Sequence, residues 1–307
     1  MLALNHWRDL CGYRTLAAKT GGACLSALFS SLLFSAAHGA ETPQQPSEFR
    51  SVAFPAGTPF YPLMAAPKEA RTFISQHKMN SDFPNATNVA SVGYGGHFGL
   101  YKFVKDEQRE AWQISFTAGL FAQFNLDQPS DDLVNADYTF GFTLTHRRDA
   151  LSSRFRIYHQ SSHLGDEVLL NHSLPVERID INYEALEALV SYDWSQRWRF
   201  YGGGEYVLRQ SEATSLEPLM IRTGVEYRGA DLGGRAARLV GGLDLASHQE
   251  LGWQVDRSFK AGFELGGREP GGRNLRVMLA LYEGHIPYGQ FFTEKASSYG
   301  LELALGF

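Results

Sequence analysis

Two histidines and a serine continue an apolar alternation in residues 154–167, R-F-R-I-Y-H-Q-S-S-H-L-G-D-E. Phe155 and Ile157 alternate with arginines, which is the period of two of a β-strand whose faces meet different surroundings. His159 and Ser161 follow on the same odd-numbered face. A neutral histidine can act as general base toward a serine hydroxyl, the usual way to activate so weak a nucleophile. The spacing permits this pair to perform nucleophilic chemistry on an otherwise apolar surface.

A third group must orient the imidazole of such a pair. The next predicted strand, residues 180–193, has alternating apolar residues, and extending their face toward the start of the strand gives Glu184 and then Asn182. A hairpin would bring both beside His159. We therefore predict Glu184 as the acceptor that orients the histidine, with Asn182 as the second candidate.

Carboxylates adjoin this candidate catalytic site. Asp166 and Glu167 end the motif, and Asp127, Asp131 and Asp132 lie in a neighbouring predicted loop. These oxygens could bind Ca²⁺, which takes six to eight oxygen ligands. The alternative is a solvated acidic rim, and no other cofactor is predicted.

The first forty residues are predicted to be a cleaved signal peptide. Three basic residues precede an apolar run of about 15 residues, which suits secretion and is too short to span a bilayer. Small residues place the cleavage near Ala40. Both cysteines, Cys11 and Cys24, lie in this segment, so the exported domain is expected to be held together without disulfides.

Composition then indicates the class of the exported domain. Residues 1–40 hold three basic and one acidic residue, so 25 basic and 32 acidic residues remain, a net charge of −7 that argues against nucleic acid. Aromatic residues make up 13% of the chain, and there are 31 glycines. Beyond the signal segment no stretch approaches the roughly 20 apolar residues of a transmembrane helix. These features favour a transmembrane β-barrel, whose strands are weak hydropathy signals.

Alternation of this kind recurs along most of the chain. Counting from residue 89 gives about eleven strands, and residues 71–78 could supply a twelfth. An even number returns both termini to the periplasm, as single-chain bacterial barrels usually require. The predicted fold is all-β, an antiparallel transmembrane β-barrel of about 12 strands over residues 89–307.

The proline-rich residues 41–88 are predicted to form a periplasmic extension, with a plug that enters the lumen as the alternative. Glycines on the inward faces leave room for such a plug. Charged residues are also predicted to face the lumen, as internal ion pairs or as the lining of a narrow pore. They are Arg154, Arg156, Arg199, Arg209, Arg222, Glu205 and Glu226.

The last nine residues, Y-G-L-E-L-A-L-G-F, place four apolar residues and Phe307 on one face. This pattern resembles the C-terminal assembly signal of bacterial outer-membrane barrels. The resemblance implies an outer-membrane location and recognition of the Phe307 strand by the barrel assembly machinery.

The H-x-S pattern resembles the site of outer-membrane phospholipase A and of lipid A 3-O-deacylase, because it lies on the predicted outer face of an outward-running strand. The resemblance implies lipid ester hydrolysis with His159 as base, Ser161 as nucleophile and Glu184 or Asn182 as orienting group. Outer-membrane lipid or lipopolysaccharide would be the substrate. Ser162 stands where those families commonly have an asparagine.

The whole exported chain is similar to an uncharacterised family of bacterial exported proteins. Its marks here are F-Y-P-L-M-A-A-P at residues 60–67, Y-H-Q-S-S-H-L-G-D-E at 158–167 and R-F-Y-G-G-G at 199–204. That family implies no activity. Two alternatives to hydrolysis therefore stay open: a structural barrel with Tyr158, His159 and His163 in the interfacial girdle, or a narrow transport pore.

Overall fold

The computed structural model describes residues 49–81, 86–105, 109–170, 179, 181–212, 214, 216–233, 237–267 and 273–306. All of them belong to one compact unit, Ser47–Phe307. The predicted signal peptide and Phe307 lie outside the described residues. Within these ranges, no helix has the length and apolar character needed to cross a membrane.

Thirteen strands, one five-residue α-helix, α1 (Asp166–Leu170), and two 3-10 helices (Gln249–Leu251 and Gly289–Phe291) make up the regular structure of the described ranges. The strands are β1 (Arg50–Ala53), β2 (Thr72–Ser81), β3 (Asn88–Lys105), β4 (Glu110–Asn125), β5 (Asp132–Arg148), β6 (Leu151–Leu164), β7 (Asn182–Asp193), β8 (Trp198–Gln210), β9 (Leu219–Asp231), β10 (Ala237–His248), β11 (Val255–Gly266), β12 (Asn274–His285) and β13 (Lys295–Gly306).

Strands β2 to β13 close into a barrel. Each pairs antiparallel with the next in sequence, and β13 pairs back onto β2. Closure pairs most of the main chain of the wall within the protein, which is the condition for strands to cross a bilayer. The predicted 12-stranded antiparallel barrel is confirmed, and β2 is the twelfth strand expected at residues 71–78.

The two faces of the wall are opposite in character to those of a soluble protein. In β5, Phe140 and Phe142 are exposed on the outside, whereas Thr143 and Thr145 are buried on the inside. The same alternation recurs in β4, β6 and β7. An apolar outer surface around a polar interior is what a lipid-embedded barrel requires.

Residues 54–71, here called the inner segment, run between β1 and β2 and pack against inward-facing side chains. Phe60 lies between the guanidinium groups of Arg154 and Arg199, 4.9 and 4.6 Å from its ring centre. The backbone N–H of Met64 donates to Glu226 Oε1 at 2.6 Å. This part of the predicted extension therefore lies in the lumen, while the domain boundaries at residues 40 and 88 stay predictions.

The connection between β12 and β13, residues 286–294, folds inward from the other end. The N–H of Gly289 donates to both carboxylate oxygens of Asp137, and Tyr288 O–H donates to the Pro67 carbonyl at 3.1 Å. Gly289 has φ 67°, and a Cβ there would lie 2.8 Å from the Asn135 side chain. Glycine is thus required where this connection meets the barrel wall.

Candidate functional site

The candidate catalytic residues lie on the outer face of β6, as predicted. His159 and Ser161 are half-buried, whereas Tyr158, Gln160 and Ser162 on the alternate positions are buried inside. The predicted place of Tyr158 in the interfacial girdle is wrong, because the alternation turns its ring inward, where it packs against the guanidinium of Arg156 at 4.3 Å. His163 is exposed on the outer face.

Glu184 is the group that contacts the candidate base. His159 and Glu184 are register partners in the β6–β7 pair, and His159 Nδ1 lies 3.2 Å from Glu184 Oε1. With its hydrogen on Nδ1, the imidazole donates to this carboxylate and keeps Nε2 free to accept a proton. Asn182 is the partner of Ser161, and its backbone N–H donates to Thr214 Oγ1 at 3.4 Å. Between the two predicted acceptors, the structure brings Glu184 to the histidine.

Arg209 also belongs to this site, which corrects the prediction that it faces the lumen. The β7–β8 register shifts so that Glu184 pairs with Arg209 while Ala185 pairs with Val207. The extra residue forms a β-bulge and turns the following side chain to the other face. The guanidinium donates through Nε to Glu184 Oε2 at 2.9 Å and through Nη2 to Oε1 at 3.1 Å.

Aromatic rings complete the surroundings of the histidine. The ring of Phe140 lies 5.1 Å from that of His159, and Tyr138 lies 5.5 Å from His163. In the structure as described, no hydrogen bond joins Ser161 to His159. Both side chains nevertheless stand on one face two residues apart, about 6.5–7 Å between Cα atoms, a spacing that permits a contact between them.

The predicted Ca²⁺ ligands do not form a coordination shell. Asp166 and Glu167 are exposed in the first turn of α1. Within the described ranges, no three acidic, histidine or cysteine side chains cluster as metal ligands. Two carboxylates fall short of the six to eight oxygens that Ca²⁺ takes, so these residues do not fit the ion and its binding stays a prediction.

Asp127 has a structural role in the loop after β4. Its carboxylate accepts hydrogen bonds from the N–H of Thr87 and of Asn88 and from the Asn88 amide. These hydrogen bonds from Asn88 and Thr87 lower the pKa of Asp127. The carboxylate therefore joins two loops, which accounts for it without a metal ion.

A second candidate site is a cavity of about 150 Å³ in the barrel interior, at the end where residues 248–251 and 286–292 lie. Charged and aromatic side chains line it, among them Arg222, Glu205, Glu217, Glu250 and Tyr282. Burial, with the nearby carboxylates of Glu205 and Glu217, raises the pKa of Glu250 to about 7.

Glu250 predicts a pH-dependent stability. Because its folded pKa lies above its ordinary value of 4.5, its stabilising effect is complete below pH 4.5 and is lost as the pH rises through about 7. Since Glu250 is half-buried, we reduce the effect to about 1 kcal/mol between pH 5 and pH 9. Urea midpoints at both pH values should show that Glu250→Gln removes this difference, whereas Glu283→Gln on the exposed surface should leave it. An unchanged difference in Glu250→Gln would contradict the assignment.

A family model described as "Protein of unknown function (DUF1207)" matches residues 42–307. The chain belongs to this family. Two of the three marks of the family resemblance meet inside its barrel, where Phe60, Leu63 and Ala66 pack with Tyr201 and with Leu189. No curated protein matches the chain in sequence.

Solved structures show the same fold at low sequence identity. Outer membrane phospholipase A from Escherichia coli is 10% identical with a TM-score of 0.53, over 77% of this chain and 90% of that one. An active-site mutant of that enzyme gives 10% and 0.52, over 80% and 91%. The Salmonella typhi phospholipase dimer with bound calcium gives 11% and 0.50, over 77% and 91%. The chain therefore has the fold of an outer-membrane β-barrel.

Proposed function

We propose that this protein is a serine-type hydrolase of lipid acyl esters that acts at the outer leaflet of the outer membrane. The observation that carries the proposal is the contact between His159 Nδ1 and Glu184 Oε1 at 3.2 Å on the lipid-facing surface, with Ser161 on the same face. The fold shared with a phospholipase adds support.

The cost of this arrangement argues for a function. Ionisable groups within the membrane-spanning part of a protein are expensive and usually mark a site of activity. Here Glu184, His159 and Arg209 form a hydrogen-bonded chain outside the barrel, although the interior could hold such groups. A lipid substrate reaches an outer face by diffusing in the bilayer, so the location suits an enzyme of lipids.

Each residue of the site would have a separate role in the reaction. Ser161 Oγ attacks the ester carbonyl while His159 Nε2 takes its proton, and the same nitrogen returns that proton to the departing alcohol. Water then hydrolyses the acyl ester on Ser161 with His159 again as base. Glu184 stabilises the imidazolium and is itself held by Arg209. No step uses Ca²⁺.

The pore alternative is disfavoured by the barrel interior. The inner segment and residues 286–294 meet in the lumen at the Tyr288–Pro67 hydrogen bond. Arg154 and Arg199, predicted as pore lining or ion pairs, are buried and paired with Glu187 and Glu226 respectively. The other alternative, a structural barrel whose outer histidines belong to the interfacial girdle, is tested by measuring lipid hydrolysis.

The test is release of fatty acid. Protein purified from membranes in detergent is incubated with phospholipid and, separately, with lipopolysaccharide, each with and without Ca²⁺, and released fatty acid is read by mass spectrometry. We expect release from one of the two lipids, and the position of the cleaved chain names the substrate. A folded barrel that releases nothing under all four conditions would leave the structural alternative. Recognition of the last strand by the barrel assembly machinery stays a separate prediction.

Glu184 gives a second test of the same site. Glu184→Ala should lower kcat about 10- to 100-fold because the imidazole loses the group that fixes its ring and tautomer. Glu184→Gln should lose less, since an amide oxygen still accepts from Nδ1–H. Glu283→Ala is the matched control, because Glu283 also forms an ion pair at the surface, with Arg257 at 3.4 Å. Equal rates for Glu184→Ala and the control would remove Glu184 from the mechanism.

A further inference from the structure

The barrel wall has an opening beside β3. Residues 88–93 of β3 pair with β2 and residues 101–104 pair with β1, whereas β4 covers the other edge along the whole strand. Among the described residues, no strand therefore pairs with residues 94–99 on that side. At the margins of the opening, Thr72 O–H donates to the Gly95 carbonyl at 3.3 Å and Phe54 N–H donates to the Leu100 carbonyl at 3.1 Å.

An open strand edge is unusual in a membrane-spanning wall, because hydrocarbon offers no hydrogen-bond partner to unpaired backbone groups. The opening therefore needs a reason beyond forming a barrel. The inner segment enters the barrel at one border of the opening, where Phe54 lies. This entry accounts for that border of the opening, but it does not account for the part beside Gly96.

A cavity of about 640 Å³ occupies the opening. Its outer part is apolar and is bordered by exposed aromatic side chains, chiefly Tyr94, Phe98 and Phe140. Its inner part reaches Arg71 and His97. His97 Nε2 lies 3.5 Å from Glu69 Oε1, and Arg71 Nε is buried without a hydrogen bond to any described residue. The cavity thus runs from the lipid-facing surface into the wall and ends at polar groups.

The strand register connects this cavity with the candidate catalytic site. Gly96 pairs with Ala118, Ala118 with Phe140, and Phe140 with His159. Three strand spacings of roughly 4.8 Å separate Gly96 from His159, about 14 Å in all. Gly96 and Ala118 carry almost no side chain, so this part of the row is a shallow apolar groove, which ends at the exposed ring of Phe140 beside His159.

We infer that this opening and its groove bind an acyl chain of the lipid whose ester is held at Ser161. The inference rests on the proposed hydrolase function and adds the site that holds the substrate chain. An acyl chain is the occupant because the surface faces lipid, the outer lining is apolar, and the groove ends at Phe140, whose ring lies 5.1 Å from that of His159. A second copy of this chain on the same face is the competing occupant.

Gly96→Trp tests the site with little risk to folding. A Cβ on Gly96 has no atom within 4 Å, and its φ is not in the left-handed region, so an indole would fill the groove without strain. Gly202→Trp on β8 is the matched control, since its Cβ would have only ordinary contacts at 3.7 Å. For a dipalmitoyl phospholipid, Gly96→Trp should lower kcat/KM at least about tenfold, the equivalent of removing roughly two methylene groups from apolar contact. A water-soluble butyrate ester should be cleaved at an unchanged rate by both variants.

A binding measurement separates this inference from the proposed function. In the Ser161→Ala background, native mass spectrometry counts the dipalmitoyl phospholipid molecules and protein copies that stay together after transfer from detergent. We expect the bound lipid to be lost in Gly96→Trp and kept in Gly202→Trp, even if the wild type proves inactive as an esterase. Equal lipid retention in both variants would overturn the acyl-chain site, as would a dimer that dissociates only in Gly96→Trp.

Discussion

Ser161→Ala is expected to abolish fatty acid release from the lipid that the wild type cleaves. The hydroxyl is the only group of the proposed site that can carry the acyl chain covalently, so its loss should lower kcat at least about a thousandfold. The barrel should stay folded, because Ser161 is half-buried on the outer face and lies opposite Tyr138 and Asn182 only through backbone register. Mass spectrometry of released fatty acid gives the rate, and heat-modifiable migration in gels reports the folded barrel.

Ser162→Ala is the matched control for this substitution. Ser162 is the next residue in the same strand, but its side chain is buried inside the barrel. We expect Ser162→Ala to keep full activity, so that the pair of variants separates the outer hydroxyl from a general effect of the strand. Cleavage by Ser161→Ala at the wild-type rate would show that another group is the nucleophile.

Much of this fold follows from one periodicity. A residue's place inside or outside the wall depends on its parity in the strand, because the side-chain period is two. His159, Ser161 and Glu184 could therefore be placed on the outer face from the sequence, and the pairing of neighbouring strands brought Glu184 to His159. The same reasoning located β2 before the region of clearest alternation.

Odd–even alternation no longer predicts which side chains face inward after a β-bulge, where one strand has an extra residue. Arg209 was expected in the lumen because it follows the inward positions of β8, and the β-bulge opposite Glu184 turns it outward. No local composition marks that bulge. The inner segment was also undecided, because its burial depends on contacts far apart in sequence, such as Met64 with Glu226. The opening beside β3 arises because β1 and β2 together are too short to cover that edge of β3. The alternation of apolar and polar residues does not predict these strand lengths.

Arg154→Met is expected to cause the largest loss of stability. Its guanidinium is 1% exposed and binds Glu69 at 2.5 Å and Glu187 at 2.8 Å, so it ties the inner segment to two neighbouring strands. Methionine would fill much of the space but leave two carboxylates buried without their shared cation. Breaking a buried pair in this way costs about 3–5 kcal/mol. Unfolding of the detergent-solubilised barrel in guanidinium chloride should show the loss as a lower midpoint.

Two further variants determine whether the charge or the packing of Arg154 matters. Arg257→Met removes the exposed partner of Glu283 and should cost less than about 1 kcal/mol, as surface ion pairs do. Adding Glu69→Gln to Arg154→Met should recover part of the lost stability, because Glu69 then no longer carries a buried charge without a guanidinium partner, whereas Glu187 keeps Arg156 at 3.0 Å. If the double variant is as unstable as Arg154→Met alone, the stacking of Arg154 on Phe60, rather than its charge, holds the inner segment in the lumen.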